Sequence, residues 1–297
     1  MMKKVVKKVI IGFPFLYKTY LNFVLHKNGT KFEKKIRKVN ASPLSKKDFM
    51  DILCSGKGES QVCHIIGGGR SLNDSIRKIT SKDFVIGFNY AALADIKFDV
   101  YFFEFGGFKV KRISDSHLKL CKEVVLKQTD LIFFKNVWED KNDSNYINQN
   151  WVSIANFTKD RIWPLLDKKY AEYTVGRCFE DDSDYLPQLC SSVMTALFIA
   201  YKIGFKQIVI HGLDFGGLYF YEESCAADKV RYLPTSEVEF GSYSNSKPNS
   251  LHATTSGAVG MKDIIPIAYE YLRNRNVQLY CATSTSPSSS FLPAYKE

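Results

Sequence analysis

Three consecutive glycines lie between an apolar segment and a serine, and this segment is the clearest candidate for a chemical role. Residues 63–72 read Cys-His-Ile-Ile-Gly-Gly-Gly-Arg-Ser-Leu. A strand that ends in bare backbone and turns directly into a helix presents N–H groups and a positive helix end to one point, which suits a phosphate. Gly67, Gly68, Gly69 and Ser71 are therefore candidate nucleotide contacts. The alternative is a plain tight turn, because glycine is the default residue where backbone needs unusual dihedral angles.

The glycine run departs from the dinucleotide-binding fingerprint. Gly67 and Gly69 stand at the first two glycine positions of that motif, but Leu72 stands at the third. The acidic residue that would hold a ribose about 20 positions further on is also missing, because the next predicted strand ends in Asn89. The sequence therefore disfavours an NAD-binding protein.

Two other segments place polar side chains at the end of a predicted strand or the start of a predicted helix. Ser191 and Ser192 precede an apolar helix, where a serine either caps the helix's own N–H groups or binds a ligand. Residues 211–217 read His-Gly-Leu-Asp-Phe-Gly-Gly, a strand that runs into a glycine-rich turn with one carboxylate. Asp214 either bonds the amides of that turn or contacts a substrate.

A histidine and two tyrosines are the candidates for proton transfer. His252 lies in a polar, serine-rich loop, where a near-neutral imidazole can act as a general base; the alternative is an ordinary surface histidine. Tyr219 and Tyr221 are either loop aromatics or phenol donors to a departing phosphate. His64 and His211 lie inside apolar strands and are predicted to be core residues or residues that support a site from behind.

The sequence favours neither a metal site nor disulfides. The acidic run 180–184 contains an Asp-x-Asp pattern, but no strand precedes it, so a solvated loop is the preferred interpretation. The five histidines have no ligand spacing, which disfavours zinc. The seven cysteines form no C-x-x-C pair and several fall in apolar runs, so we expect reduced, buried thiols in a cytoplasmic protein.

Strands and helices alternate along the body of the chain, which predicts an α/β protein. Near-continuous apolar strands linked by helices indicate a Rossmann-like, mostly parallel sheet covered by helices on both faces, with ligands beyond the carboxyl ends of the strands. The predicted strands are 61–66, 83–88, 98–103, 130–134, 207–211 and 277–281, and the clearest predicted helices are 71–79, 191–203 and 262–273. Residues 217–257 are aromatic and polar without clear periodicity, which predicts a lid or acceptor loop.

The positive charge of the chain is concentrated at its N-terminus. The chain carries a net charge of +10, and residues 1–40 hold eleven Lys or Arg and one acid, which leaves 30 bases and 30 acids elsewhere. The neutral body disfavours nucleic-acid binding. We expect residues 1–50 to form a basic amphipathic helical arm and residues 51–297 a single Rossmann-like domain.

The expected role of the arm is attachment to a membrane surface. Lysine pairs alternate with apolar pairs over residues 3–10, the spacing of an amphipathic helix. The uncharged run 9–17 is far shorter than the roughly 20 residues needed to span a bilayer, and no small-residue cleavage site marks a secretory signal. We therefore expect a cytoplasmic protein that is peripheral at the anionic inner membrane. The alternatives are a solvated arm or a contact in a homo-oligomer.

In combination, the segments resemble the bacterial sialyltransferases of glycosyltransferase family 42. The order IIGGGRSL, IGFNY, FDVYFFEF, SSVMTALFIAYKIGFKQIVIHGLDF, a Tyr-rich loop, a histidine before a helix and VQLYCATS is similar to that family over about residues 61–285. The most specific part is 190–215, with a serine-headed helix, a strand and a Gly-x-Asp-Phe turn. The resemblance implies inverting, metal-independent transfer of a nonulosonic acid from its CMP-activated form to a glycan or glycolipid hydroxyl, with no cofactor.

The resemblance also implies residue roles on the donor side of the site. The positions implied to bind the CMP-sugar are Gly67, Gly68, Gly69, Ser71, Asn89, Glu104, Ser191, Ser192, Gly212, Asp214 and Phe215. Ser191 and Ser192 would hold the phosphate or the sugar carboxylate, and Asp214 with Phe215 would shape the cytidine pocket.

The same resemblance implies the catalytic residues. Tyr219, with Tyr221 as the other candidate, would stabilise the leaving phosphate, and His252 would be the general base. Hydroxyl and amide donors can stabilise a departing monophosphate without a divalent ion, and one imidazole with a pKa near 6.5 can remove the acceptor proton.

The sequence departs from the family at several positions. Gly68 and Glu104 stand where the family has asparagines, and Gly216 replaces one of two loop tyrosines. These changes leave the donor open among sialic, legionaminic, pseudaminic and Kdo forms, which share CMP.

Two other functions compete with this interpretation. One is a metal-dependent nucleotide-diphosphate-sugar transferase that uses Asp182 and Asp184. The other is a non-enzymatic protein similar to flagellin-modification accessory proteins, in which the basic arm docks a partner.

Overall fold

A parallel sheet of seven strands forms the centre of the protein. The computed structural model describes residues 9–27, 46–103, 119–129, 132–134, 152–153, 158–159, 167–180, 186–187, 189, 191–224, 228–229, 232 and 259–296. The strand order in the sheet is β5-β4-β3-β2-β1-β8-β9, and every pairing is parallel. The sheet strands are β1 (Val62–Ile66), β2 (Phe84–Phe88), β3 (Val100–Phe103), β4 (Ile132–Phe134), β5 (Val152–Ser153), β8 (Gln207–His211) and β9 (Gln278–Cys281). A separate pair joins β6 (Thr158–Lys159) to β7 (Leu186–Pro187).

The central strands of this sheet are largely buried because both faces are covered. All five residues of β2 are buried, as are the last four of β1 and of β8. This is the pattern of parallel sheets. The six predicted strands are confirmed, whereas β5, β6 and β7 were not predicted because two residues carry no periodicity.

The strand order reverses between β1 and β8. From β1 the chain builds β2, β3, β4 and β5 outward on one side, and then returns to place β8 and β9 on the other. Connections on the two sides of such a reversal leave opposite faces of the sheet, so a crevice opens beyond the carboxyl ends of the central strands. The residues after β1 and β8 therefore lie at the crevice.

The longer α-helices in the described ranges pack around this sheet. They are α1 (Pro14–Lys27), α2 (Lys46–Lys57), α3 (Ala171–Glu180), α4 (Ser192–Lys202), α5 (Phe220–Ser224) and α6 (Met261–Arg273). Residues 192–200 of α4 are all buried, and the helix packs on β1. The predicted helices 191–203 and 262–273 are confirmed.

The predicted helix 71–79 is wrong. Two separate 3₁₀ turns, Arg70–Leu72 and Ile76–Lys78, take its place. The Ser75 hydroxyl donates to the carbonyls of Ser71 and Leu72, at 3.2 and 3.3 Å, in the middle of the segment. Ser, Asn and Asp compete in this way with helical backbone bonds. The glycine run therefore has no α-helix dipole behind it, and that part of the phosphate argument fails.

The second face of the sheet is covered by short helical segments. A 3₁₀ turn at Asn89–Leu93, a π-helical segment at Cys121–Val125 and helix α5 contribute to one cluster of buried residues with Val85 and Tyr101. The other cluster contains the strand residues that point to the opposite face of the sheet, together with residues of α1, α2, α3, α4 and α6.

The first two helices are part of the packed body. Tyr17 and Leu21 of α1 and Phe49 and Leu53 of α2 are all within 1% of complete burial. The predicted division at residue 50 falls inside α2, so this helix packs with the domain and not with an arm. The amphipathic pattern at residues 3–8 lies outside the described residues.

Most of the cysteines whose side-chain exposure the structure describes are buried. Cys63, Cys178 and Cys281 are buried, which confirms buried thiols at these positions, whereas Cys54 is exposed. No helix in the described ranges has both the length and the apolar character required to cross a bilayer.

Candidate functional site

The turns after β1 and β8 are locked together through backbone contacts. The N–H groups of Gly67 and Gly69 donate to the carbonyls of His211 and Gly212, at 2.8 and 2.9 Å. A Cβ at position 67 would lie 2.6 Å from the Gly212 oxygen, and Gly212 itself has φ +59°. These contacts require glycine for close backbone approach. The tight-turn interpretation therefore holds for Gly67 and Gly69, whose N–H groups are already bonded within the protein.

Asp214 connects three segments of the chain. Its carboxylate accepts hydrogen bonds from the Ser71 N–H at 2.8 Å, the Ser71 hydroxyl at 2.5 Å and the Ser286 hydroxyl at 3.1 Å. A carboxylate with three such donors is well compensated for its partial burial. This supports the structural interpretation of Asp214, and the Ser71 hydroxyl is committed to the same contact.

Ser286 was not singled out from the sequence. It lies in the run Thr-Ser-Thr-Ser-Pro-Ser-Ser-Ser at 283–290, where nothing in the pattern distinguishes one hydroxyl from the next. Its side chain also accepts from the Ser288 N–H and caps the last 3₁₀ turn, Pro287–Ser290.

Tyr219 packs directly over the middle glycine. Phe220 N–H donates to the Gly68 carbonyl at 3.0 Å, and a Cβ at Gly68 would meet the Tyr219 ring at 3.4 Å, which is ordinary contact. The rings of Tyr219 and Tyr221 are stacked with centroids 5.2 Å apart. Gly68 is thus the glycine of the three that faces the tyrosines, and its N–H is not part of the bonds to β8.

The two tyrosines differ in exposure. Tyr221 is only 4% exposed and also contacts Tyr90, at 5.6 Å between ring centroids. Tyr219 is partly exposed at the outer side of the stack. The Asn73 side-chain amide donates to the Phe220 carbonyl at 3.2 Å and holds the start of α5 against the glycine turn.

Asn89 begins the turn after β2, beside the glycine turn. It has φ +54°, a left-handed conformation that asparagine tolerates better than most residues. The Tyr101 hydroxyl fixes this turn, since it donates to the Asn89 carbonyl at 2.6 Å and accepts from the Ala92 N–H at 2.8 Å. Because Ile66 pairs with Gly87 in the parallel register, Gly68 and Asn89 are at the same level of the sheet edge.

The side chain of Asn89 carries a buried acceptor without a partner. Among the residues that the structure describes, no donor reaches its Oδ1 atom. An unsatisfied buried amide oxygen costs about 1–3 kcal/mol. Such a group at a crevice fits a position where a ligand N–H or O–H completes the bond.

Ser191 has the geometry of an N-cap at the start of α4. The Ser191 hydroxyl accepts from the Met194 N–H at 3.4 Å and lies 3.1 Å from the Met261 sulfur. The capping interpretation is therefore supported for Ser191. Ser192 is 8% exposed in the first turn of the helix.

Phe215 packs inside the protein. It has φ +62°, is 5% exposed, and meets the Phe291 ring edge-on at 5.7 Å. The Lys262 ammonium lies 5.7 Å from its ring centroid. In this position the ring supports the turn after β8.

Two buried histidines lie beneath the glycine turn. His64 Nδ1 and His211 Nε2 share a hydrogen bond of 2.7 Å, and His211 Nδ1 lies 3.0 Å from the Ser75 hydroxyl. Burial lowers the pKa of His64 to about 4, against the opposing effect of Asp83. Burial and then the neighbouring His64 hold the pKa of His211 well below its usual value. Both imidazoles are neutral core groups, as predicted.

Several predicted residues lie outside the described residues. These are Glu104, His252, Asp182 and Asp184, together with most of the predicted lid 217–257. Their roles stay predictions. In the part of the chain that is described, no three His, Cys, Asp or Glu side chains are grouped as metal ligands would be.

Comparison with known proteins gives matches among solved structures. The CMP complex of the sialyltransferase CstII from Campylobacter jejuni is 18% identical, with a TM-score of 0.44 and 80% of this chain and 87% of that chain covered. The monofunctional α-2,3-sialyltransferase Cst-I from the same organism is 18% identical, with a TM-score of 0.46 and coverage of 80% and 81%. CstII with a trisaccharide acceptor and CMP is 17% identical, with a TM-score of 0.43 and coverage of 79% and 86%. No family model and no curated protein matches the chain.

Proposed function

We propose that this protein is a glycosyltransferase that transfers a nonulosonic acid from its CMP-activated form to a glycan hydroxyl. The observation that carries the proposal is the grouping of Gly68, Asn89 and Tyr219 at the crevice between the two halves of the sheet. These residues offer neutral hydrogen-bonding groups and an aromatic ring, which suit a nucleoside monophosphate.

Asn89 is proposed to recognise the donor. Its buried Oδ1 has no donor within the described residues, and the amino group of cytosine or a hydroxyl of the ribose or sugar would supply one. Binding would then satisfy a group that has no donor among the described residues. The Gly68 N–H is the proposed phosphate contact, since the flanking glycine amides are used by β8.

Tyr219 is proposed to assist the leaving group. Bond cleavage places negative charge on the CMP phosphate, and a phenol O–H aimed at that charge stabilises the transition state. Tyr219 is partly exposed and lies against Gly68, whereas Tyr221 is buried behind it. Tyr221 would therefore support the Tyr219 ring by stacking.

His252 is proposed as the general base. Transfer to a hydroxyl requires the loss of one proton, and an imidazole with a pKa near 6.5 can accept it at neutral pH. A single base and direct displacement give inversion at the transferred carbon. Because CMP is a good leaving group, this scheme requires no metal ion.

The proposed acceptors are surface polysaccharide or lipopolysaccharide, modified at the cytoplasmic face of the inner membrane. The support is the concentration of positive charge in residues 1–40, which suits an anionic surface. The neutral body of the chain disfavours nucleic acid as a partner.

The experiment that tests this function is a thermal-shift titration with CMP, CDP, UDP and NAD, each with and without manganese. Ligands that bind the native state raise its apparent stability by mass action. We expect CMP to raise the melting temperature without metal. A manganese-dependent response to UDP would support the alternative that uses Asp182 and Asp184, and no response to any nucleotide would support a non-enzymatic role.

The His252→Ala variant separates catalysis from binding. We expect it to keep the CMP-induced shift and to lose transfer from CMP-activated sugars, because the base does not hold the nucleotide. His117→Ala, a histidine without an assigned role, is the matched control and should keep both. Transfer by His252→Ala at the unmodified rate would contradict the assignment of the base.

A further inference from the structure

The exposed large apolar side chains recorded in the described residues all lie in one segment, 9–23. They are between 37% and 77% exposed, and they are Val9, Phe13, Phe15, Leu16, Tyr20 and Phe23. Four of them, Phe15, Leu16, Tyr20 and Phe23, belong to α1 and are called here the outer face of α1. Exposed apolar side chains grouped in this way mark an interaction surface, whereas scattered ones need no explanation.

The opposite face of α1 is fixed to the body. Tyr17 and Leu21 are buried, one turn apart, and the Tyr17 ring stacks on Tyr170 with centroids 4.1 Å apart. The Tyr17 hydroxyl lies 2.7 Å from the hydroxyl of Thr174, and Tyr170 donates to the Ile11 carbonyl at 2.9 Å. These contacts set the rotation of the helix about its axis, so the outer face is held outward.

Three members of the outer face form a stripe along the helix. Leu16, Tyr20 and Phe23 follow at spacings of four and three residues, which places them on one side of a helix. The Tyr20 and Phe23 rings are stacked, with their centroids 6.4 Å apart. Lys18 is turned away from this stripe, since its ammonium lies 4.9 Å from the Tyr173 ring of the body.

Charge identifies the partner of this face. Residues 1–40 hold eleven basic residues and one acid, with four lysines before α1 and five basic residues between 31 and 38. A second copy docked on the same face would bring two such basic segments together, and like charges repel. A surface of anionic lipid offers the opposite charge and an apolar layer beneath it.

We propose that helix α1 lies in the plane of an anionic membrane, with its outer face inserted at the boundary between headgroups and acyl chains. The positive charge of residues 1–40 attracts the helix to anionic lipid, and Tyr17 and Leu21 transmit the attachment to the folded body. The helix lies on the membrane and does not cross it. This inference depends on α1 and its flanking charges and requires nothing of the donor site.

The test is co-sedimentation of the full chain with vesicles. We expect binding to vesicles that contain phosphatidylglycerol, little binding to phosphatidylcholine alone, and release at high salt because screening weakens the electrostatic attraction. Phe15→Ser with Phe23→Ser should lower the partition coefficient by about tenfold or more, since two buried aromatic contacts with lipid are lost. Tyr269→Ser, a partly exposed tyrosine on α6, should bind as the unmodified chain does.

Other outcomes would overturn the inference. Equal binding of the double variant and the unmodified chain would show that the outer face is not inserted. A dimer in analytical ultracentrifugation that the double variant abolishes, with no vesicle binding by the unmodified chain, would assign the face to a second copy. The CMP-induced thermal shift, measured in parallel, reports on the donor site and on folding, so a failure there is recognised separately.

Discussion

The turns after β1 and β2 lie side by side at the same edge of the sheet, and they are built in opposite ways. In the glycine turn, Gly67 and Gly69 are bonded to β8 and Ser71 is bonded to Asp214. In the neighbouring turn, Asn89 is held in a left-handed conformation by Tyr101 and keeps a buried oxygen without a partner among the described residues. The glycine-rich turn is mainly a framework, and the group proposed to recognise the donor lies beside it.

The largest expected effect is a difference in the free energy of unfolding between substitutions at Gly67 and at Gly68 in the glycine turn. Gly67→Ala places a Cβ 2.6 Å from the Gly212 oxygen, and neither backbone segment can move without breaking its bond to the other. We expect the free energy of unfolding to fall by more than about 3 kcal/mol. Gly68→Ala is the matched control, with its Cβ 3.4 Å from the Tyr219 ring, and urea denaturation should show a loss below about 1 kcal/mol. Equal losses would remove the distinction between the two positions.

Lowering the pH should lower the stability of the folded protein through His64, which lies beneath the glycine turn. The pKa of His64 is about 4 in the folded state, because burial disfavours the imidazolium, and near 6.5 when unfolded. The unfolded chain therefore binds more protons between these values, so stability is full above pH 6.5 and falls as the pH drops toward 4. The His64 contribution to this loss is about 3 kcal/mol. Urea denaturation of His64→Gln across the same range should show a shallower slope, and identical slopes would contradict the assignment.

Asp214→Asn tests the framework role of the carboxylate. The amide group can accept at only one of its two atoms, so at least one donor from Ser71 or Ser286 loses its partner. We expect a loss of about 2 kcal/mol in unfolding free energy, with the CMP-induced shift retained. Asp74→Asn, whose carboxylate accepts from Thr285 at an exposed position, is the control and should change little. Unchanged stability with lost CMP binding would make Asp214 a ligand contact instead.

Asn89→Gly should affect binding and leave folding intact. Glycine adopts φ +54° without strain, and the substitution removes a buried acceptor that has no donor among the described residues. We expect unchanged stability and about tenfold weaker CMP binding by calorimetry, the value of one hydrogen bond. Asn276→Gly, at φ +57° after α6, is the matched control and should bind CMP normally. Normal binding by Asn89→Gly would contradict the recognition role.

The sequence predicts the sheet well because its strands are buried on both faces. Gln207–His211 agrees with its predicted bounds, and β1, β2 and β9 each begin one residue later than predicted. The same apolar runs place the turns after β1 and β8 at the crevice. In this respect, the position of the site follows from local patterns.

Contacts between distant residues could not be predicted in the same way. The helix expected at 71–79 fails because Ser71 bonds to Asp214, 143 positions away, and Ser75 bends back on the backbone. The Ser286 contact with Asp214 joins positions 72 apart. Local periodicity contains no information about either bond. The unpaired oxygen of Asn89 is likewise visible only once the fold surrounds it.

The contact between Ser286 and Asp214 has a consequence for the order of events during synthesis. Asp214 also holds Ser71, so these contacts are complete only when residue 286 has left the ribosome. At a synthesis rate of about 5–20 residues per second, Ser286 is added on the order of tens of seconds after the glycine turn. A nascent chain therefore carries the outer face of α1 long before it has a finished crevice, and an interrupted chain never closes the framework around Asp214.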